Sequence, residues 1–207
     1  MSSRAAAAVV RALDDRQREA TEEVERILSA AITVMQRASP DAPRVSDIVA
    51  AAGVSNKAFY RYFAGKDDLM LAVMERGVSL VVSYLEHQMA KEKTPVGRIT
   101  RWISGSLAQV ADPELIGMSR ALVGQMAASD KRGLGEEDTM AAMRELLVEP
   151  IRDLGSTDPQ RDADAVFVCT VGTMRRYVNS TDQPGHRDIG HLVSFCLRGL
   201  GVPEGTN

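Results

Sequence analysis

Residues 45 to 66, VSDIVAAAGVSNKAFYRYFAGK, constrain the fold of this chain more than any other stretch. Ser46 or Asp47 can cap a short helix that carries apolar residues on one side. Gly53 then supplies the left-handed residue with which many helices end, and Ser55 is a natural N-cap for a second short helix. A short helix, a tight turn and another short helix form the helix-turn-helix pattern.

The second helix of this pattern, predicted over residues 56 to 63, concentrates side chains suited to DNA. The chain has four Phe and four Tyr residues, and this helix holds two of each. Phe59 and Phe63 are four residues apart and share the face that packs into the domain. We expect base edges to be contacted near the start of the helix, by Asn56, Lys57 and Ala58. The side chains expected to contact phosphates carry hydroxyl or cationic groups: Arg44, Ser46, Ser55, Tyr60, Arg61 and Tyr62.

The run IVAAAGVSNKAFYRYFAGKDDL, residues 48 to 69, resembles the N-terminal signature of TetR-family transcriptional regulators, I-A-x-x-A-G-V-S-x-G-x-[LF]-Y-x-[YH]-F-x-x-K-x-x-L. Lys57 departs from that signature, because family members most often carry glycine or another small residue there. Arg44 also departs, because a hydroxyl residue is frequent near this point. The resemblance implies a three-helix DNA-binding domain, and it implies that Lys66 lies beside the phosphate backbone.

Composition favours an all-α fold. Aromatic residues make up 4% of the 207 residues, and good helix formers are abundant. The formal net charge is −3, but five bases and two acids between residues 37 and 66 give that segment +3 and leave −6 elsewhere. A local basic patch on an acidic protein suits contact with phosphates.

The chain is predicted to form two domains. Residues 1–66 would be the DNA-binding domain with an N-terminal extension, and residues 67–207 a helical ligand-binding and dimerisation domain. Helix 1 proper is predicted to begin near Thr21, with that residue as its N-cap. Residues 4 to 20 would then be either a frayed extension or a basic arm that touches DNA beside the second helix.

Amphipathic helices separated by turn signals follow in the second domain. A long helix from residue 66 to about 91 is predicted to connect the domains. Pro150 is expected to kink or end a later helix, and residues 129 to 138 are expected to form a mobile loop. The other predicted helices begin at Pro95 and Asp112 and cover residues 139 to 154, 159 to 179 and 187 to 200.

The second domain holds most of the ten methionines, which fit either ordinary core packing or a plastic apolar pocket. The predicted pocket for a small hydrophobic effector comprises Trp102, Met118, Leu122, Met126, Met143 and Met174. In the TetR family the last two helices form a four-helix bundle with a partner subunit, and the resemblance extends this to the present chain. The corresponding predicted interface comprises Val166, Thr170, Ile189, Val193 and Leu197.

The residues give little support to an enzyme. His87, His186 and His191 lie in different segments without metal-ligand spacing, and the chain has no nucleophile elbow or phosphate-binding glycine loop. We therefore predict no catalytic residue, no metal and no cofactor. Cys169 and Cys196 fit buried thiols in a reducing compartment, with a redox pair as the sharper alternative. No apolar run approaches the ~20 residues of a membrane span, so the protein is predicted to be cytoplasmic.

These features together predict a homodimeric transcriptional repressor that binds a palindromic operator in double-stranded DNA. A small hydrophobic effector would release it. The alternative is an effector-independent DNA-binding or protein-interaction module that uses the same helix-turn-helix.

Overall fold

The computed structural model describes residues 3–38, 43–111, 136–178 and 180–203, and within these residues the protein is helical without a strand. This confirms the all-α prediction. The described helices, in chain order, are α1 (Ser3–Ala38), α2 (Val45–Ala52), α3 (Asn56–Tyr62), α4 (Lys66–Met89), α5 (Pro95–Ala111), α6 (Glu136–Glu145), α7 (Val148–Asp153), α8 (Pro159–Val178) and α9 (His186–Gly199).

The chain divides into two compact units, Met1–Val73 and Met74–Asn207. The boundary predicted after Lys66 lies at the first residue of α4, whereas the division of the structure lies inside that helix. Leu69 and Val73 are buried, so the first two turns of α4 are part of the first unit.

Helix α1 is one continuous helix, and the prediction that it begins near Thr21 is wrong. No proline or glycine interrupts residues 3 to 38, and most residues in this span have good helix propensity. The Thr21 hydroxyl donates a hydrogen bond of 2.9 Å to the carbonyl of Gln17, one turn earlier, and so does not cap a helix. The predicted frayed extension, residues 4 to 20, is therefore the first half of α1.

The core of the first unit is formed by the second half of α1 together with α2, α3 and the start of α4. Apolar residues recur along α1 at helical spacing, so they share one face of that helix. Each large side chain that is fully buried stabilises such a small core by roughly 1.5–3 kcal/mol. The main buried side chains are Ile27, Leu28, Ala31, Met35, Ile48, Val49, Phe59, Phe63 and Leu69.

The second unit is built around α5, which packs against α7, α8 and α9. Trp102 is fully buried in α5, and its indole N–H donates a hydrogen bond of 3.0 Å to the carbonyl of Met143. The ring of Phe167 lies 6.3 Å from the ring of Trp102, centre to centre. Gly105 also allows a close approach, because a Cβ atom there would lie 2.8 Å from Leu85 Cδ2.

The helix predicted over residues 139 to 154 is in fact two helices, α6 and α7, and the break at residues 146 and 147 lies one turn before Pro150, where a proline ring clashes with the carbonyl of the residue four positions earlier. Pro150 is the third residue of α7, within the first turn, where backbone N–H groups have no intrahelical acceptor. The missing N–H of proline therefore costs no helical hydrogen bond. Of the predicted loop over residues 129 to 138, the last three residues lie in α6, and the rest lies outside the described residues, as does the helix predicted from Asp112.

The last two helices end within one residue of their predicted positions. Among the described residues, no helix is both long and apolar enough to cross a membrane.

Candidate nucleic-acid interface

The first helix of the helix-turn-helix begins at Val45, one residue before the predicted caps. Arg44 is its N-cap, with extended backbone angles (φ −92°, ψ 145°), and makes no side-chain capping hydrogen bond. The Arg44 carbonyl accepts hydrogen bonds from the N–H groups of Asp47 and Ile48, which places Ser46 and Asp47 inside the first turn. The capping role predicted for either residue is therefore wrong. The Ser46 hydroxyl instead lies 3.3 Å from an Asp47 carboxylate oxygen.

The turn between α2 and α3 has the predicted geometry. Gly53 adopts φ 64° and ψ 32°, the left-handed conformation that a residue with a Cβ atom adopts only at a cost of about 1–2 kcal/mol. The N–H of Val54 then reaches back to the Val49 carbonyl, at 3.2 Å. Ser55 caps α3, because its Oγ accepts a hydrogen bond of 3.1 Å from the Ala58 N–H. Residues 53 to 55 thus fix where α3 begins and how it leaves the turn.

One face of α3 is exposed and polar. Asn56, Lys57, Tyr60 and Arg61 are all exposed, and their spacing of three and four residues makes them neighbours on the helix surface. Ala58 does not belong to this face, since its side chain is only 4% exposed. The prediction that Ala58 meets base edges is wrong, because its Cβ lies on the side of the helix that packs into the core.

Tyr62 and Arg61 both interact with Glu23 of α1. The Tyr62 hydroxyl donates a hydrogen bond of 2.8 Å to Glu23 Oε2, and Arg61 Nη1 lies 3.7 Å from the same oxygen. The Arg61 guanidinium also lies 5.2 Å from the centre of the Tyr62 ring. The hydrogen bond to Glu23 raises the pKa of the Tyr62 hydroxyl above its ordinary value. Two side chains predicted to contact phosphates are thus held by a carboxylate within the chain.

Glu23 is not predicted from the sequence, since no local pattern joins residues that are 39 positions apart. The helical spacing of α1 gives a partial indication that Glu23 lies near the core. Glu23 lies one residue before the half-buried Val24, at the edge of the α1 face that enters the core.

The remaining predicted phosphate contacts lie at the start of α2, in the turn before α3 and at the start of α4. Arg44, Ser46 and Ser55 are exposed, and Lys66 is half-buried at the first residue of α4. The chain between α3 and α4 is held by Asp68, whose carboxylate accepts a hydrogen bond of 2.8 Å from the Ala64 N–H. Cationic and hydroxyl groups therefore precede and follow α3 along the chain.

The predicted effector pocket is only partly within the described residues. Trp102 and Met143 are buried in the core of the second unit, and Met174 is half-buried against it. The predicted pocket residues Met118, Leu122 and Met126 lie outside the described residues. Ser106, next to Gly105 in α5, is fully buried, and its hydroxyl has no hydrogen-bond partner among the residues that the structure describes.

The predicted dimer interface needs correction on α8. Val166 and Thr170 are 3% and 0% exposed within the single chain, and the Thr170 hydroxyl donates a hydrogen bond of 2.8 Å to the Val166 carbonyl. Both therefore face the core and are not available to a partner. Val168 lies between them in sequence but on the opposite side of α8, and it is 65% exposed.

The interface residues predicted on α9 are half-buried against the core: Ile189, Val193 and Leu197. Phe195, which shares that helix, is 54% exposed. The large apolar side chains that α8 and α9 present to the outside are thus Val168 and Phe195.

The two cysteines are both free thiols. Cys196 is buried and Cys169 half-buried, and burial together with the neighbouring Cys169 raises the pKa of the Cys196 thiol to about 11. In the described part of the chain, no group of three His, Cys, Asp or Glu side chains could hold a metal ion.

Residues 27–73 match the sequence profile of the bacterial regulatory proteins of the tetR family. The match covers the part of α1 that enters the core, the helix-turn-helix and the first two turns of α4. None of the curated proteins matches the chain in sequence.

Solved structures share the fold over most of both chains. A protein from Mesorhizobium loti MAFF303099, assigned to the TetR-family transcriptional regulators, superposes with a TM-score of 0.66 at 16% identity, covering 87% of this chain and 96% of its own. RolR in complex with resorcinol superposes with a TM-score of 0.64 at 16% identity, covering 90% of this chain and 91% of its own. FadR from Bacillus subtilis in complex with stearoyl-CoA superposes with a TM-score of 0.60 at 18% identity, covering 85% of this chain and 96% of its own. At these identities the similarity is one of fold.

Proposed function

Since the chain is a TetR-family protein by its N-terminal domain and its fold, we propose that it is a homodimeric transcriptional repressor that binds a palindromic operator. The exposed polar face of α3 is the observation on which this proposal depends. A short helix that is capped at a tight turn and presents Asn56, Lys57 and Tyr60 to the outside has the shape and the chemistry to enter a major groove.

The first turn of α3 would read the bases. An asparagine side chain can pair with the N6 and N7 groups of adenine, and a lysine can donate to O6 and N7 of guanine. Asn56 and Lys57 are exposed at the N-terminal end of α3, the end that faces base edges in helix-turn-helix proteins. Lys57 would therefore contribute to sequence preference as well as to charge.

The groups around α3 would hold the DNA backbone. Phosphate contacts set the position and orientation of a recognition helix without reading sequence. Tyr62 and Arg61 would reach phosphates only by leaving Glu23. The residues that can contact phosphates without breaking that link are Arg44, Ser46, Ser55, Tyr60 and Lys66.

The homodimer would form through the outer faces of α8 and α9. Val168 and Phe195 are large apolar side chains that are more than half exposed in the single chain. A partner that covers them would remove this apolar surface from water, at roughly 25 cal/mol per Å². A twofold dimer also suits the target, since two recognition helices about 34–36 Å apart reach successive major grooves on one side of the duplex.

A small hydrophobic effector would release the repressor. The core of the second unit contains Met143, with Met140 and Met174 packed against it, and these deformable apolar side chains together with the buried Ser106 hydroxyl would line the effector site. Proteins of the same fold bind resorcinol in RolR and stearoyl-CoA in the Bacillus subtilis FadR. Release requires that the effector bind more tightly to the conformation that cannot span two half-sites, since equal affinity for both shifts nothing.

The test is selection of bound duplexes from random DNA, followed by affinity measurements on the selected and a scrambled sequence. We expect a palindrome, with wild-type protein sedimenting as a dimer. Phe195→Asp should sediment as a monomer and lose the palindrome, whereas the control Ser194→Asp, an exposed neighbour on α9, should retain both properties. A monomeric wild type, or equal affinity for palindromic and scrambled DNA at moderate salt, would overturn the proposal.

A further inference from the structure

The first half of α1 projects from the core of the first unit. We call residues 3 to 20 the arm. All of residues 4 to 19 are exposed, and the first fully buried side chain of α1 is Ile27. At 1.5 Å per residue the arm is about 27 Å long. It is therefore a helix of five turns whose sides are open.

The arm carries an uncovered apolar face. Val9, Val10 and Leu13 are 48%, 55% and 57% exposed, and steps of three and four residues place them side by side. A helix of this length draws most of its stability from the packing of such a face, because helix propensity alone is marginal in water. The open face is therefore available to a partner that would stabilise the helix.

The apolar row has the spacing of a coiled coil and continues the row with which α1 enters its own core. The steps along α1 alternate between four and three residues over more than three heptads, which is the period of a two-helix seam. The row consists of Ala6, Val10, Leu13, Gln17, Ala20, Val24, Ile27 and Ala31. Its second half lies in the domain, where Ile27 and Ala31 are buried, and its first half is open to solvent.

The charges of the arm do not favour DNA as the partner. Its four arginines are accompanied by three acids, so the net charge is only +1, and Arg18 lies 3.4 Å from Asp15. Asp14 and Glu19 add negative charge to the polar side, where a phosphate backbone would have to approach. The apolar side chains of the row would make no favourable contact with phosphate groups.

The pattern of the row is complementary to itself. With Val10 and Gln17 at one seam position and Leu13 at the other, a β-branched residue alternates with leucine, which favours a parallel pair of helices. A single polar residue such as Gln17 in the seam sets the register by pairing with its own copy. The near-neutral charge allows two arms to approach each other.

We propose that the arm pairs with the arm of a second copy of this chain, as a short parallel coiled coil in which Leu13 faces Leu13 and Gln17 faces Gln17. This contact is separate from the outer faces of α8 and α9. It joins copies through their DNA-binding units and needs no operator.

A photo-crosslinker tests this pairing in the full-length protein without DNA. Leu13→p-benzoylphenylalanine places the probe in the seam, and Ala8→p-benzoylphenylalanine places it on the opposite, equally exposed side. We expect the Leu13 probe to join two peptides that both contain residue 13, which only two copies can supply, with about tenfold more product than the Ala8 probe gives. Equal yields from both probes, products with other parts of the chain, or no arm-to-arm product would overturn the pairing.

Amide hydrogen exchange gives a second measurement that needs no crosslinker. Leu13→Asp should speed exchange across residues 6 to 20 strongly, because the seam opens, whereas Ala8→Asp should speed it only as far as the lower helix propensity of Asp allows. Equal exchange in the wild type and Leu13→Asp would also overturn the proposal. Neither experiment involves an operator, so a failure to find a palindrome would bear on the proposed function and leave the arm pairing intact.

Discussion

Tyr62 at the end of α3 donates a hydrogen bond of 2.8 Å to Glu23 of α1, so α3 is tied to the helix that carries the arm. Arg61 approaches the same carboxylate, at 3.7 Å. A hydroxyl and a guanidinium are suitable donors to a phosphate, and here a carboxylate occupies both. In the proposed complex, Glu23 would therefore compete with DNA for two groups at one end of α3.

Glu23→Gln should tighten DNA binding. The substitution removes a negative charge near the duplex and releases Arg61, while the amide oxygen still accepts a weaker hydrogen bond from Tyr62. We expect affinity for the operator and for random duplex to rise by the same factor, since phosphate contacts carry no sequence information. Fluorescence anisotropy with both duplexes measures the two affinities. Glu22→Gln, which removes the same charge one residue earlier, is the control, and an equal gain there would show that general electrostatics are responsible.

Tyr62→Phe should lower the thermal midpoint of the free protein at neutral pH, because the Tyr62 to Glu23 hydrogen bond is lost. The pKa of the Tyr62 hydroxyl is raised, so the protonated donor is favoured in the folded state. Its contribution is therefore fully present below the ordinary phenol pKa of about 10 and is lost as pH rises through the higher, folded value. Differential scanning fluorimetry from pH 7 upward should show the wild type and the variant converging at alkaline pH. Tyr60→Phe, on a ring that is 60% exposed, serves as the control, and a midpoint loss of the same size there would contradict the assignment.

Lys57→Ala and Lys66→Ala should weaken DNA binding in different ways. Lys57 lies on the exposed face of α3 and should alter which bases are preferred, by about 1–3 kcal/mol at one position. Lys66 lies at the start of α4 and should weaken all duplexes alike, with the slope of log K against log salt reduced by roughly one unit. Salt titrations of both variants on selected and scrambled duplexes separate these effects. Identical behaviour of the two variants would contradict the division between base and phosphate contacts.

The sequence predicted best the features that a few adjacent residues determine. Gly53 and Ser55 adopt the predicted turn and cap because positive φ and side-chain capping depend on local chemistry. Thr21 does not begin a helix, because a good N-cap residue inside a run of good helix formers bonds to the preceding turn instead.

The inward and outward sides of a helix were harder to predict. Thr170 is predicted in the interface and is buried, whereas Phe195, which the predicted interface does not include, is exposed. When a helix has two apolar faces, apolar character alone does not show which face is buried. That depends on neighbouring helices that are distant in sequence. The same holds for Ala58, whose burial depends on how α3 rests on the core.

Trp102→Phe should destabilise the second unit by about 2–4 kcal/mol. The change leaves a cavity in a fully buried site and removes the hydrogen bond to the Met143 carbonyl, which then remains buried without its donor. Urea unfolding monitored by circular dichroism measures the loss. Leu80→Ala, at a side chain that is 62% exposed, should cost less than about 1 kcal/mol. A loss that small for Trp102→Phe would mean that the indole does not support the core.

Cys196 should react with iodoacetamide far more slowly than Cys169 in the folded protein. The thiolate is the reactive form, and with a pKa of about 11 only about one Cys196 in a thousand is ionised at pH 8. Burial of Cys196 slows the reaction further, whereas Cys169 is half-buried. The variants Cys169→Ser and Cys196→Ser leave one thiol each, so mass spectrometry over time gives both rates. The rate for Cys196 should rise about tenfold per pH unit from pH 8 to 10 without a plateau, because its thiolate fraction is still growing there. A plateau near the ordinary thiol pKa would mean that Cys196 is exposed in solution.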